Sequence, residues 1–267
     1  MSFFKYIAKN RLTFTFLLLG LPLFLFVIIP LAKMILASAS EPDILWKTVM
    51  APEVRSAILL TLFTALLATA IGFILGVPLA YLLARHDFPG KRLVEGFIDV
   101  PIVVPHTAAG IALLFVFGRQ FFLGQAFSKI GITFVDTIPG IVIAMLFVSL
   151  PFLIDSAKEG FKKVDVRLEK VARTLGASPW QAFFRISFPL AWRSILAGNI
   201  MMWARGISEF GAVIILAYHP MIAPVLVYER FETYGLDYAR PIAVLLILVS
   251  VLVFIGLRTL AYKGDRS

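Results

Sequence analysis

The sequence predicts an all-α integral membrane protein that crosses the bilayer about six times. Three observations carry this. Of the 267 residues 60% are hydrophobic and only 15% charged, with a mean hydropathy of +0.92. A soluble domain of that size needs more charge to cover itself. Apolar runs approach about 20 residues, the length at which a helix crosses the hydrocarbon core. The basic residues gather on alternate sides of those runs, as they do around membrane helices.

Taken in order, the expected spans are Leu12–Leu36, Ser56–Ala84, Phe97–Phe117, Ile138–Ile154, Ile195–Tyr218 and Pro241–Ala261. The first has some look of a signal peptide, with Lys5, Lys9 and Arg11 before it and Ala37-Ser38-Ala39 after it. Its apolar run is too long for one, and Lys33 precedes the supposed cleavage site. The chain divides into an N-terminal segment with the first span (1–55), a membrane core (56–261) that includes a long loop at 155–194, and a short tail (262–267). With the N-terminus inside, seventeen Lys and Arg fall on the inner side and seven on the outer, and Arg205 lies within a span. That places both termini and the segment Asp155–Ser194 in the cytoplasm, in a multi-pass protein of the cell membrane. The net charge of +9 follows from the same bias and calls for no nucleic acid. There is no cysteine, hence no disulfide scaffold or thiolate site. His86, His106 and His219 are too scattered for a metal-ligand pattern.

The segment Asp155–Ser194 is neither a span nor a minimal loop. Lys158, Lys162, Lys163, Arg167, Lys170 and Arg173 alternate with Asp155, Glu159, Asp165 and Glu169 as on a solvated helix face. Val166, Val171, Ala172 and Leu175 form the apolar side. Gly176 suits a left-handed helix end, and Ala177 leads to Ser178 as N-cap and Pro179 in the first turn of a second short helix. That helix carries Trp180, Phe183, Phe184 and Ile186, and Pro189 is expected to bend the chain before the fifth span. Its aromatic residues need burial. A partner's groove and the lipid interface both satisfy that need.

The segment resembles the cytoplasmic loop of ABC-importer membrane subunits, which reads Glu-Ala-Ala, three residues, Gly, nine residues, Ile, one residue, Leu-Pro. Ala172, Gly176, Ile186 and Pro189 match. Lys170 stands where Glu is expected, with Glu169 one residue earlier; Val171 replaces the first Ala and Phe188 the Leu. The stretches IDVPIVVPHTAAGIALLFVFG (98–118), FVDTIPGIVIAMLFVSLPF (134–152) and WARGISEFGAVIILAYHPMIAPVLVYERF (203–231) resemble permeases for tetrahedral oxyanions. Archaeal molybdate/tungstate permeases are among these, and sulfate permeases share the run Glu209–Ala212. The resemblance implies a type I ABC-importer permease fold working as a homodimer. It implies that the loop is a coupling helix seated on a separate ATPase subunit, one per copy, at Leu175–Phe184. It further implies ATP and magnesium in those ATPases and an extracytoplasmic oxyanion-binding protein. The substrate is then molybdate or tungstate, or else sulfate or another oxyanion.

The chain's own chemistry agrees in kind. There is no phosphate-binding loop: Gly90-Lys91 is followed by Arg92, and Arg85 stands where the first Gly is needed. No nucleophile–base pair stands out, so an enzyme is not expected. A secondary transporter needs coupling carboxylates in the membrane, and Glu209 is the one strong candidate. Arg205 and Glu209, four residues apart with Ser208 between them, have two readings. They line a translocation path, or they form a structural ion pair. In the third span Pro101 and Pro105 interrupt the backbone ladder ahead of Thr107, which either shapes a path or gate or makes a packing kink. The loop His219–Gly235 suits a small structured element at the outer mouth, either a contact for a delivery protein or a plug.

Overall fold

The computed structural model describes residues 11–262, and the regular structure among them is helical throughout. The basic residues expected at the two extreme termini, Lys5, Lys9, Lys263 and Arg266, lie outside this range. In order the helices are α1 (Arg11–Ala39), α2 (Pro42–Met50), α3 (Pro52–Arg85), α4 (Lys91–Val103), α5 (His106–Phe117), α6 (Phe122–Ser128), α7 (Ile138–Lys163), α8 (Val166–Thr174), α9 (Pro179–Ala182), α10 (Phe188–Ile207), α11 (Gly211–Leu216), α12 (Ala223–Tyr234) and α13 (Leu236–Tyr262). A π-helical turn, Phe183–Ser187, joins α9 to α10.

Four of these, α1, α3, α7 and α13, are long and apolar enough to cross a membrane, and the bent pair α4 and α5 adds a fifth if it is one span. α10 with α11 covers most of the remaining expected span, roughly consistent with about six. Two expected spans are nonetheless not single helices. The third is broken: α4 and α5 meet at 117°. Pro105 lacks an N–H and forces the residue before it out of the helical region, and Val104 is extended at φ −70°, ψ 133°. Pro101 sits inside α4 and breaks nothing. The fifth span ends at Ile207 and restarts at Gly211, with Ser208, Glu209 and Phe210 in the gap.

The segment after the fourth span also differs from expectation. Residues 155–163 continue α7 rather than opening a separate helix, so Lys158–Asp155 (2.9 Å) and Lys162–Glu159 (2.8 Å) are pairs on its last turns. Nor does Pro189 bend the chain away from α9. Pro189 cannot donate to the carbonyl one turn back, and the helix widens instead, with Phe188 N–H reaching the Phe183 carbonyl. The second short helix is thus the continuous lead-in to α10.

The bundle is built on α7, with α10 antiparallel on one side and α3 on another. Small residues set the spacing. A Cβ at Gly198 of α10 would lie 2.8 Å from Ser156 Cβ, and one at Gly160 would lie 2.4 Å from Ser194 Cβ. Ser156 Oγ donates to the Ser194 carbonyl at 2.7 Å across the same seam. Close approach through small residues is how helices gain packing energy where lipid supplies no hydrophobic drive. One buried cluster centres on Ile141, Met145 and Leu216, and a second on Leu153, Phe161 and Ile195. A third, Val54, Leu226 and Ile242, seats α12 against α3 and α13. Ala223 N–H donates to Thr61 Oγ1 at 2.8 Å, and Arg230 pairs with Glu53. The loop 219–235 is therefore a helix docked at one end of the bundle. The α8–α9 hairpin lies at the other end. α1 leaves almost all of its apolar surface uncovered.

Candidate functional site

The hairpin forms by local chemistry. Asp165 caps α8, its carboxylate accepting from Arg167 N–H at 2.9 Å. At the other end Gly176 is left-handed at φ +92°, where a Cβ would be strained. Its N–H bonds the Arg173 carbonyl (3.1 Å) and Ala177 N–H the Ala172 carbonyl (3.0 Å), the paired closure of a Schellman motif. Ser178 then opens α9 with a capping box: Gln181 N–H reaches Ser178 Oγ, and Ser178 N–H reaches Gln181 Oε1. Pro179 occupies the first turn. The two arms are thus fixed relative to one another within a few residues.

What ties the hairpin to the bundle is Glu169. Its carboxylate accepts from Ser187 Oγ (2.6 Å), Arg85 Nε (2.7 Å) and Tyr81 OH (2.8 Å). Arg85 also donates to the Val164 carbonyl at 3.0 Å. One buried carboxylate so joins α8, the end of α3 and the π-helical turn before α10. Burial by itself would raise its pKa. The hydrogen bonds from Ser187 and Tyr81 and the charge of Arg85 outweigh that and hold the carboxyl below its ordinary value. Sequence reasoning placed Glu169 but missed Tyr81, Arg85 and Ser187. The available signal was Tyr81 and Arg85 one turn apart at the end of a span, facing the only acid in α8.

Outward, the hairpin presents apolar groups. Leu175 is 84% exposed, Trp180 72% and Phe184 56%. The last two rings stack at 6.0 Å and 15°. Phe183 instead turns inward, edge-on to Tyr81 at 4.8 Å. Ile186 is half-buried, and Pro189 is exposed in the first turn of α10. A cavity of about 680 Å³ opens between the hairpin and α3, walled by Phe73, Val77, Tyr81, Phe183 and Phe188, with Arg85 at its polar end.

The second cluster lies where the two broken spans meet. Glu209 sits past the last residue of α10, not on its face as expected, yet still pairs with Arg205 Nη2 at 2.9 Å. Its other oxygen accepts from Ala212 N–H at 2.8 Å, holding open the gap before α11. His106, first residue of α5, brings Nδ1 to 2.9 Å from Glu209 Oε2. Arg205 Nη2 is 2.7 Å from His106 Nδ1 and 2.9 Å from Nε2. Near-equal distances to both ring nitrogens put the guanidinium over the ring face, in line with neither lone pair. Arg205 Nη1 donates to Ser208 Oγ at 3.2 Å. Side-chain exposure falls from 39% for His106 to 23% for Arg205 and 2% for Glu209. The backbones touch here: a Cβ at Gly211 would lie 2.6 Å from His106 Cβ. Thr107 is exposed beside it, Pro105 caps α5, and Pro101 stays buried in α4 before the bend. Among the described residues no group of His, Asp or Glu could hold a metal ion.

Comparison with known proteins fits this architecture. Residues 72–263, from mid-α3 through α13, match the family model described as binding-protein-dependent transport system inner membrane component. The chain belongs to that family. Among family relatives, the molybdate/tungstate transport system permease protein of Thermococcus kodakarensis is 47% identical over 257 residues, covering 96% of this chain and 99% of that one. The sulfate transport system permease protein CysT of Synechococcus elongatus is 33% identical over 262 residues, covering 96% and 94%. A chain of the bacterial alginate ABC transporter, crystallised with its pentasaccharide-bound periplasmic protein, shares the fold with a TM-score of 0.76. It is 17% identical, and the match covers 100% of this chain and 98% of that chain. The all-helical permease fold of ABC importers is thereby established for this chain, a multi-pass membrane protein and not an enzyme.

Proposed function

We propose that this chain is the permease subunit of an ATP-driven importer of molybdate or tungstate. Two copies enclose the path, since one chain of this size has little interior for a hydrated dianion. The uncovered face of α1 supports burial against a second copy or lipid. The hairpin end faces the cytoplasm, as do both termini. An ABC ATPase subunit, holding ATP and magnesium, seats on each hairpin, and an extracytoplasmic protein delivers the anion at the α12 end. The 47% identity to a molybdate/tungstate permease supports the substrate. Identity of 33% to a sulfate permease keeps sulfate as the second reading.

The observation that carries the coupling reading is the contrast within the hairpin. Its outer side leaves Leu175, Trp180 and Phe184 exposed, while its base is clamped by Glu169. Large exposed apolar groups on a rigid base are what an interface needs. Force on the tip passes through Glu169 to α3 and through the π-helical turn to α10. The test is reconstitution of this chain with its ATPase and delivery protein, measuring labelled molybdate uptake with competing tungstate or sulfate. Uptake that needs both partners and ATP supports the proposal. Uptake driven by an ion gradient without the ATPase refutes it, and preferential block by sulfate moves the substrate to the second reading.

A further inference from the structure

We infer that the exposed edge of the His106–Arg205–Ser208 cluster is a contact point for the transported tetrahedral dianion, and that it takes up the dianion together with a proton on His106. The inference rests on the oxyanion reading and adds to it the residues and the proton.

Depth comes first. Gly206, next to Arg205, packs against Ala65 and Met145, well inside α3 and α7. A guanidinium and an imidazole part-exposed at that level are costly against hydrocarbon, so the edge they share with exposed Ser208 faces either water or a second copy of the chain, and the proposed contact is the water-facing case. The ring's tautomer comes next. A carboxylate can only accept, so the 2.9 Å contact between Glu209 Oε2 and His106 Nδ1 is a hydrogen bond in the tautomer with the proton on Nδ1. In that neutral ring Nε2 carries the lone pair, with Arg205 Nη2 2.9 Å away, while the charges of Arg205 and Glu209 cancel. Such an edge has no hold on an anion. A second proton, at Nε2, converts the lone pair to a donor and leaves one net positive charge. Arg205 Nη1 and His106 Nε2 then offer donors to one tetrahedral ion, and Ser208 Oγ, whose hydroxyl rests on the Arg205 carbonyl at 3.0 Å, becomes a third when it rotates off that carbonyl. The proton is taken from water on the side of entry, and its loss from Nε2 to water on the side of exit releases the ion. Passage needs this balance, since a site on a path must hold weakly enough to let go.

Few other charges compete. α11 and α6, packed on α5, carry no titratable residue, and on α7 the first is Asp155, near its opposite end. Before the bend, the nearest charge in the chain is Asp99.

The experiment uses the complete transporter in proteoliposomes with loaded delivery protein outside, reading molybdate moved per ATP hydrolysed between about pH 6 and pH 8, where histidine side chains titrate. In His106→Asn the amide nitrogen replaces the Nδ1 donor to Glu209 but offers neither Nε2 nor the proton. We expect the wild-type ratio to rise about tenfold on acidification, the scale of one charge-assisted hydrogen bond, and His106→Asn to assemble with its ATPase and stay flat. Ser208→Ala, on an exposed hydroxyl, should lower the ratio several-fold at every pH with the wild-type slope. A wild type without slope, a His106→Asn that keeps it, or a Ser208→Ala equal to wild type overturns the inference. If His106→Asn does not assemble, Ser208→Ala and the wild-type slope decide alone. Wild-type transport with unaltered variants removes this inference only, whereas a wild type that moves neither molybdate, tungstate nor sulfate removes the oxyanion reading with it.

Discussion

Each of the two clusters is built around a carboxylate paired with an arginine, and the contrast between them separates their work. Glu169 gathers Arg85 and Tyr81 from α3, more than 80 residues away, and Ser187 from the π-helical turn. Glu209 is held mainly by its own turn, through Arg205 and Ala212 N–H, and reaches one distant residue, His106. Near the first, large apolar groups, Leu175, Trp180 and Phe184, stand exposed among basic ones; at the second, His106 and Arg205 are part-exposed beside exposed Ser208. An apolar surface outside the bundle suits a protein partner. A polar surface inside it suits water and an ion. The same pairing thus serves to brace one region and to neutralise the other.

Removing the brace should have the largest effect. Glu169→Ala leaves Arg85 buried without its counter-charge, and breaking such a pair costs about 3–5 kcal/mol. A large fall in the thermal unfolding midpoint in detergent, with loss of ATPase co-purification, is the expected result. An unchanged midpoint would break the comparison at its base. Next comes the tip. Trp180→Asp should weaken ATPase docking by about 2 kcal/mol or more, roughly thirtyfold, while membrane insertion and folding persist. Gly176→Pro should do the same by forbidding the φ of +92° that the turn requires. Coupled transport at the wild-type rate in both would remove the tip from the interface.

Acid sharpens the contrast further. The Glu169 carboxyl is held below its ordinary value of 4.5, so an unfolded chain binds its proton more readily than the folded one. Its contribution is complete above that value and is lost as pH falls through the lower folded value. Wild type should therefore lose stability more steeply than Glu169→Gln as pH drops below about 5, although Gln is the less stable of the two at neutral pH. Ser187→Ala removes one of three donors to that carboxylate and should cost about 1.5 kcal/mol. Smallest of all, Asp87→Asn breaks the exposed Lys91 pair in the loop near the hairpin, and no change in midpoint or coupling is expected.

Local chemistry was legible in the sequence, and distant chemistry was not. Gly176, Ser178 and Pro179 announce the turn they make, because caps and left-handed positions depend on a few adjacent residues. The apolar runs announce the spans for the same reason. The breaks are less plain. Pro101 and Pro105 both mark an interruption of the third span, but only Pro105 makes it; Pro101, like Pro22, Pro30, Pro78, Pro151 and Pro241, sits within a helix. The gap at Ser208–Phe210 depends on Glu209 taking the Ala212 N–H and on Gly211 meeting His106 from another span. Arg205 and Glu209 were visible as a pair, but His106 joins them from 99 and 103 residues away. Glu169 likewise finds Arg85 and Tyr81 at 84 and 88 residues' distance, and its one-residue offset from the family position obscured it.

The central claim is that the hairpin tip is held by an ATPase partner. A photo-crosslinking amino acid at position 180, in the complex assembled in its native membrane, tests this most directly. The account predicts a covalent adduct to the ATPase subunit that disappears with Glu169→Ala. Adducts to phospholipid alone, or labelling of position 180 from the extracytoplasmic side, would contradict it.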